Sequence, residues 1–176
     1  MRVLGIDPGL AATGVGVVWG HGPHIDGHAF GIIRTCARTP LPDRLNHIHG
    51  QVSDLLAEER PDLMVVEDVF SLDRYPRSGI LLGHVIGVIF LAGAQAGVPV
   101  AEVAVREAKG VLTGHGGADK AHLERAVRSF LDRTAPIRPA HAADALALAI
   151  IGLLRHSDGL PRPTGRAAAP PLQRIQ

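Results

Sequence analysis

Residues 2–7 (RVLGID) and 14–19 (GVGVVW) are two β-rich runs separated by a turn containing Pro8 and Gly9. A third run, 27–34 (GHAFGIIR), follows His21-Gly22-Pro23-His24, which reads as a loop. Three short strands on short connections predict an antiparallel meander. The periodicity then changes. From Asp43 onward Leu45, Ile48, Val52, Leu55 and Leu56 recur at helical spacing, and Pro61 stops the helix. Residues 62–67 (DLMVVE) follow as a strand whose continuous apolar centre implies burial on both faces.

The stretch from Ser78 to Ala101 holds no charged residue, and Gly79, Gly83 and Gly87 are spaced as in a small-xxx-small helix face. It is long enough on paper to span a bilayer. Strand-like segments lie on both sides, no Lys or Arg cluster flanks it, and His84 and Gln95 interrupt it. A buried helix in a soluble core or dimer interface explains it better than a membrane span. Next come a strand near 98–104 (VPVAEVA), a short helix around 106–113 and the loop 114–117 (GHGG). Asp119 is placed to cap a helix whose buried stripe is Leu123, Ala126, Val127, Phe130 and Leu131. Pro136 and Pro139 precede a last helix, roughly 140–155.

This order predicts an α/β fold, a five-stranded mixed sheet flanked by helices on both faces. Residues 1–155 form that one domain. After Arg155 the composition shifts to Pro, Arg, Gly and Ala, so 156–176 reads as a mobile tail.

Composition sets the class. The 176 residues are 46% apolar and 20% charged, as in an ordinary soluble globular chain. Aromatics are only 3%, so Val, Leu, Ile and Ala must build the core. The single cysteine, Cys36, excludes an internal disulfide and fits a reducing cytosol. It is expected to be a small buried apolar residue. The start MRVLGID lacks a signal peptide's apolar region and is expected to enter a strand directly, in a cytoplasmic protein. A net charge of +1 means that any nucleic-acid contact comes from local basic patches rather than a global field.

Four residues can carry chemistry. Asp7 ends an apolar strand, and Pro8-Gly9 suits a tight turn that leaves its carboxylate at the strand's end. An Asp there can also simply accept backbone hydrogen bonds. Asp7-x-Gly9 followed by Thr13-Gly14 occurs as well in phosphate-handling folds of the actin and sugar-kinase type. Glu67 closes a buried strand and needs a cation or donors, because an unpaired buried carboxylate costs several kcal/mol. A salt bridge to Arg74 or Arg77 is the plainer solution. Asp68 points to the opposite face and is not counted. His141 and Asp144, three apart, share a helix face at the start of an almost wholly apolar helix, where capping is the competing reading. Three carboxylates and an imidazole make a hard-ligand set that suits Mg2+ or Mn2+. Two such ions about 4 Å apart would activate a water and stabilise the leaving oxygen of a phosphodiester, with Asp7 as the natural bridging ligand. The histidines His21, His24 and His28 are expected to be solvated rather than metal ligands.

GIDPG at 5–9, TGVGVV at 13–18, VVEDVF at 65–70, Lys109 with the 114–120 segment, and HAADALALAI at 141–150 together resemble the RuvC family. That family comprises Holliday-junction endonucleases with a ribonuclease-H-like fold. The resemblance runs in order from residue 1 to about 155 and implies that Asp7, Glu67, His141 and Asp144 bind the catalytic metals. It implies that Lys109 and Lys120 contact the scissile phosphate region and that Phe70 lies against unpaired bases at the junction centre. It also implies a homodimer, since two symmetric nicks need two active sites, and a RuvA/RuvB branch-migration complex as partner. Arg74, Tyr75 and Arg77 are available to DNA.

Departures from the family bear on the metal and on DNA. Some members carry Asp where this chain has His141, and a neutral, softer imidazole shifts preference towards Mn2+. Positions 84 and 86 hold His and Ile where the family usually shows Gln and Arg, which removes a basic DNA contact from that helix. Two other functions compete: an ATPase or sugar-kinase-type phosphotransferase, for which no second similar domain exists in the chain, and a non-catalytic junction-binding module.

Overall fold

The structure is a computed structural model that describes residues 1–68 and 76–156, the side chains of Pro76 and Arg77 excepted. Its elements are β1 (Arg2–Asp7), β2 (Ala12–His21), β3 (His24–Arg34), α1 (Leu41–Glu59), β4 (Leu63–Asp68), α2 (Pro76–Gln95), β5 (Val100–Ala104), α3 (Val105–Thr113), α4 (Lys120–Phe130) and α5 (Ala140–His156). The five strands form one sheet in the order β3-β2-β1-β4-β5. β1, β2 and β3 pair antiparallel, whereas β1–β4 and β4–β5 are parallel. The expected mixed sheet, meander first, is present.

Period-two alternation divides the core. Leu4, Ile6, Val15, Val17, Met64 and Val66 face α1 and α2, and Val3, Val18, Leu63 and Val65 face α5 with α3 and α4 behind it. The helix α5 is buried almost from end to end because it lies directly on β1 and β2. Glycines on the sheet permit this approach. A Cβ at Gly5 would overlap the carbonyl oxygen of Ala145, and one at Gly14 that of His141. Over Gly5 the facing residues of α5 are themselves small, Ala145 and Ala149, while Gly16 leaves room for Leu146.

Local signals account for the ends of several helices. Pro42 sits in the first turn of α1, and α1 closes on Arg60 in the left-handed conformation, immediately before Pro61. Gly114 closes α3 at φ 74°. Asp119 caps α4 as expected, accepting from the His122 N–H at 2.7 Å.

Two expectations are corrected. The loop expected at 21–24 is only Gly22-Pro23, and β3 begins at His24 rather than at 27. Gly22 takes the positive φ (51°) that a tight hairpin needs, so backbone pairing extends past the polar residues. Cys36 is exposed, not buried. It lies just beyond β3 in the connection to α1, and connections run over the surface whatever the polarity of their residues.

The apolar helix α2 is amphipathic in its surroundings rather than in its sequence. Val85, Ile89 and Ala92 are buried against α1 and the sheet, while Ile80 and Leu91 are exposed. Its Ser78–Gln95 portion is long and apolar enough to cross a membrane, and only 22% of it is buried. From residue 157 onward the expected tail lies outside the described residues.

Candidate metal centre

β1 and β4 run parallel with Ile6 opposite Val66, so one residue further Asp7, the last of β1, comes beside Glu67, the last but one of β4. Both belong to the series that faces α5, as Val3 and Val65 do. Asp68 falls on the other series, as expected. The first turn of α5 crosses above this edge, with Gly14 of β2 directly beneath His141. Two strand ends and one helix start therefore converge on a single point.

Asp7 and Asp144 are buried, at 5% and 8% exposure, and His141 is half-exposed. His141 Nδ1 lies 2.6 Å from Asp7 Oδ2. One ligand atom each from Asp7, His141 and Asp144 fits within 4.8 Å of the others, a spacing that can hold a metal ion. Glu67 joins through Asp7, with which it shares a side-chain hydrogen bond.

Crowding raises the acidities. Burial, helped by the Asp144 charge and opposed by the hydrogen bond from Glu67 and the charge of Lys120, pushes the Asp7 carboxyl up to about 6. Glu67 is pushed up to about 8, first by burial, then by its hydrogen bond to Asp7 and by the charges of Asp7 and Asp144. Without a cation, the hydrogen-bonded Asp7–Glu67 pair holds on to protons well above the ordinary carboxylate range. One ammonium is near: Lys120 Nζ is 3.4 Å from Asp144 Oδ2, but its side chain is 67% exposed. A single solvated lysine does not neutralise three carboxylates. The excess negative charge, the oxygen-rich donors and the one imidazole fit a hard divalent cation.

The remaining expected site residues divide. Lys120 is brought to the cluster, at the first position of α4. Lys109 is on α3, half-buried, and its ammonium forms no ion pair with the cluster among the described residues. Phe70 and Arg74 lie outside the described residues, as does the side chain of Arg77.

Other residues support the site in ways not assigned from sequence, although Thr13, Gly5 and Gly14 belong to motifs quoted above. Thr13, fully buried, donates to the Gly9 carbonyl at 2.8 Å and braces the turn after Asp7. Arg44 of α1 donates to the Leu10 carbonyl at 3.1 Å and to Thr35 Oγ1 at 2.8 Å, holding the same turn from the other side. Gly5 and Gly14 set the height of α5. Only the glycines had a legible signal, since they fall on the face that carries Asp7 and are matched by alanines in 142–149.

A mixed β3-β2-β1-β4-β5 sheet with carboxylates at the ends of β1 and β4 and on a covering helix defines the ribonuclease-H-like class of α/β folds. The family model for crossover junction endodeoxyribonuclease RuvC matches residues 3–152. The chain belongs to that family. It is 46% identical over 156 residues to the crossover junction endodeoxyribonuclease RuvC of Salinispora arenicola, covering 88% of this chain and 89% of that one. With the protein of the same name from Rhodopirellula baltica it shares 41% identity over 150 residues, 85% of this chain and 84% of the relative. Among solved structures it is similar to Thermus thermophilus RuvC in complex with Holliday junction substrate. That match has a TM-score of 0.82 and 32% identity, and it covers 90% of this chain and 96% of that one.

Proposed function

We propose that this chain is an endonuclease that resolves four-way DNA junctions by hydrolysing phosphodiester bonds. Asp7, Glu67, His141 and Asp144 hold divalent cations, Mg2+ or Mn2+ and two per site. The observation that carries the reading is the convergence of Asp7 with His141, 134 residues away in sequence, and with Asp144 in one buried acidic group. The curated relatives bear the name of this activity, and the Thermus protein was solved on a junction.

Bound there, the ions would lower the pKa of a coordinated water and stabilise charge on the leaving oxygen. The chain's own groups do the rest. Asp7, in contact with both Glu67 and His141, would be a ligand common to the ions. When His141 Nδ1 donates to Asp7, its Nε2 keeps a lone pair for a ligand or a proton. Lys120 offers an ammonium to the negative charge of the phosphate while restraining Asp144. Lys109, Phe70, Arg74 and Arg77 are the further DNA contacts in this reading.

A homodimer places two such sites on one junction. The exposed stripe of α2, with Ile80, Gly83, Gly87 and Leu91, is its interface in this reading. A cytoplasmic location and a RuvA/RuvB partner accompany the DNA substrate.

The test is cleavage of a synthetic four-way junction in Mg2+ and Mn2+ in parallel. Wild type cuts symmetrically. Asp7→Asn loses more than about a hundredfold in rate, since even residues that only orient metal ligands are worth 10–100-fold, while junction binding persists. Full cutting by Asp7→Asn overturns the site. Metal-dependent ATP turnover without cutting supports a phosphotransferase, and junction binding indifferent to metal and to all four ligands supports a non-catalytic module.

A further inference from the structure

A cavity of about 310 Å³ opens beside the acidic cluster and shares Asp144 with it. Lys120, Glu124, Ile137, Arg138 and Ala143 line it with Asp144. That volume is about ten waters' worth, at roughly 30 Å³ each, enough for a sugar–phosphate unit. Its outer wall is the 134–139 connection between α4 and α5. This connection is pinned: Glu124 Oε1 accepts from the Ile137 N–H at 2.9 Å, and Arg128 donates to the Thr134 carbonyl at 2.9 Å. Ile137 is buried beneath it.

The charges in the cavity are not equally available. Glu124 is committed to Ile137 and to Arg128, whose Nε lies 3.0 Å from its carboxylate. Asp144 is held by Lys120. Arg138 is exposed and has no hydrogen bond or ion pair among the described residues. A fixed wall therefore presents one uncommitted guanidinium at the rim of a cavity whose floor is part of the metal centre. Arginine suits a phosphate there because its planar fork donates two parallel hydrogen bonds.

We infer that this cavity seats the sugar–phosphate unit adjacent to the scissile bond and that Arg138 binds its phosphate. The inference rests on the nuclease reading above. It gives the active strand a second anchor, on the α4–α5 side of the cluster.

Binding of a four-way junction is measured against salt in the non-cutting Asp7→Asn background, with Arg138→Ala, Arg138→Lys and Arg125→Ala added singly. Arg125 is also exposed on α4 but does not line the cavity. Arg138→Ala binds about tenfold more weakly, and its salt slope falls by about one. Arg138→Lys recovers the slope, and Arg125→Ala matches the background in both. Because Arg138 is exposed, its loss leaves the thermal midpoint at the background value, so a folding defect does not mimic the result. Arg138→Ala with unchanged affinity and slope overturns the inference, and so does an equal effect of Arg125→Ala. Wild-type cutting of the junction, run alongside, separates these outcomes from failure of the nuclease reading, with which the inference also falls.

Discussion

His141 Nδ1 stands 2.6 Å from Asp7 Oδ2, joining the first turn of α5 to the last residue of β1. The imidazole is the one nitrogen ligand among carboxylates, and it supplies a hydrogen bond to the buried Asp7 where a fourth carboxylate would supply repulsion. Replacing it tests what it sets.

His141→Asp adds a negative charge beside Asp7 and hardens the donor set. The ratio of the cleavage rate in Mn2+ to that in Mg2+ should fall several-fold, because oxygen ligands favour Mg2+ relative to Mn2+. The metal-free variant should also melt lower than wild type at neutral pH, and a saturating cation should reverse the order. An unchanged rate ratio would remove His141 from the ligand set.

The raised acidities predict how stability depends on pH. Asp7 lies at about 6 and Glu67 at about 8, against ordinary values of 3.8 and 4.5. The folded protein thus holds protons that the unfolded chain has released, so their stabilising contribution is complete below about pH 4 and is lost as pH rises towards about 8. Metal-free thermal midpoints should fall across this window, and saturating Mg2+ or Mn2+ should flatten the fall by favouring the ionised forms. A metal-free midpoint that climbs from about pH 5 to 8 contradicts the crowding on which this rests.

Gly14 is the contact on which α5 rests at the site. In Gly14→Ala the new methyl overlaps the His141 carbonyl oxygen, a backbone atom that cannot rotate away. The start of α5 must lift, at a cost of about 3 kcal/mol, and His141 and Asp144 lift with it. Denaturant midpoints and Mn2+ titrations on one preparation should show both losses. Wild-type metal affinity in this variant would mean that α5 is positioned by other contacts.

Arg44 ties α1 to the turn after Asp7 through Leu10 and Thr35. Arg44→Ala should cost about 1–2 kcal/mol of stability and raise the Mn2+ concentration for half-maximal cutting several-fold. Arg44→Lys has a single nitrogen and should recover only part of either. Loss of stability with no change in the metal requirement would confine Arg44 to a structural role.

Much of the fold and site was legible in the chain itself. The β-rich runs 2–7 and 14–19, the helical period from Leu45 to Leu56 and the continuous apolar run 63–66 give the strands and helices their types, because the central strands bury both faces and the helix one. Asp7 and Glu67 stood out as charges closing apolar strands, and His141 with Asp144 as polar residues one turn apart on an apolar helix. The hairpin at Gly22-Pro23 and the exposure of Cys36 were not legible. Polar residues pair as well as apolar ones at the tip of a ribbon, and a cysteine's burial depends on whether anything is folded over it.

The sequence by itself determined the order of elements, their amphipathic faces and the residue types able to bind a hard cation, since these depend on neighbours along the chain. Tertiary structure alone decided that β1 and β4 lie in parallel register, that glycines let α5 settle onto them, and that His141 meets Asp7 there. It also decided that Glu67 shares a proton with Asp7 and that Arg138 is left uncommitted beside Asp144. Those facts depend on distances between residues far apart in sequence, and such distances exist only once the sheet and α5 have packed.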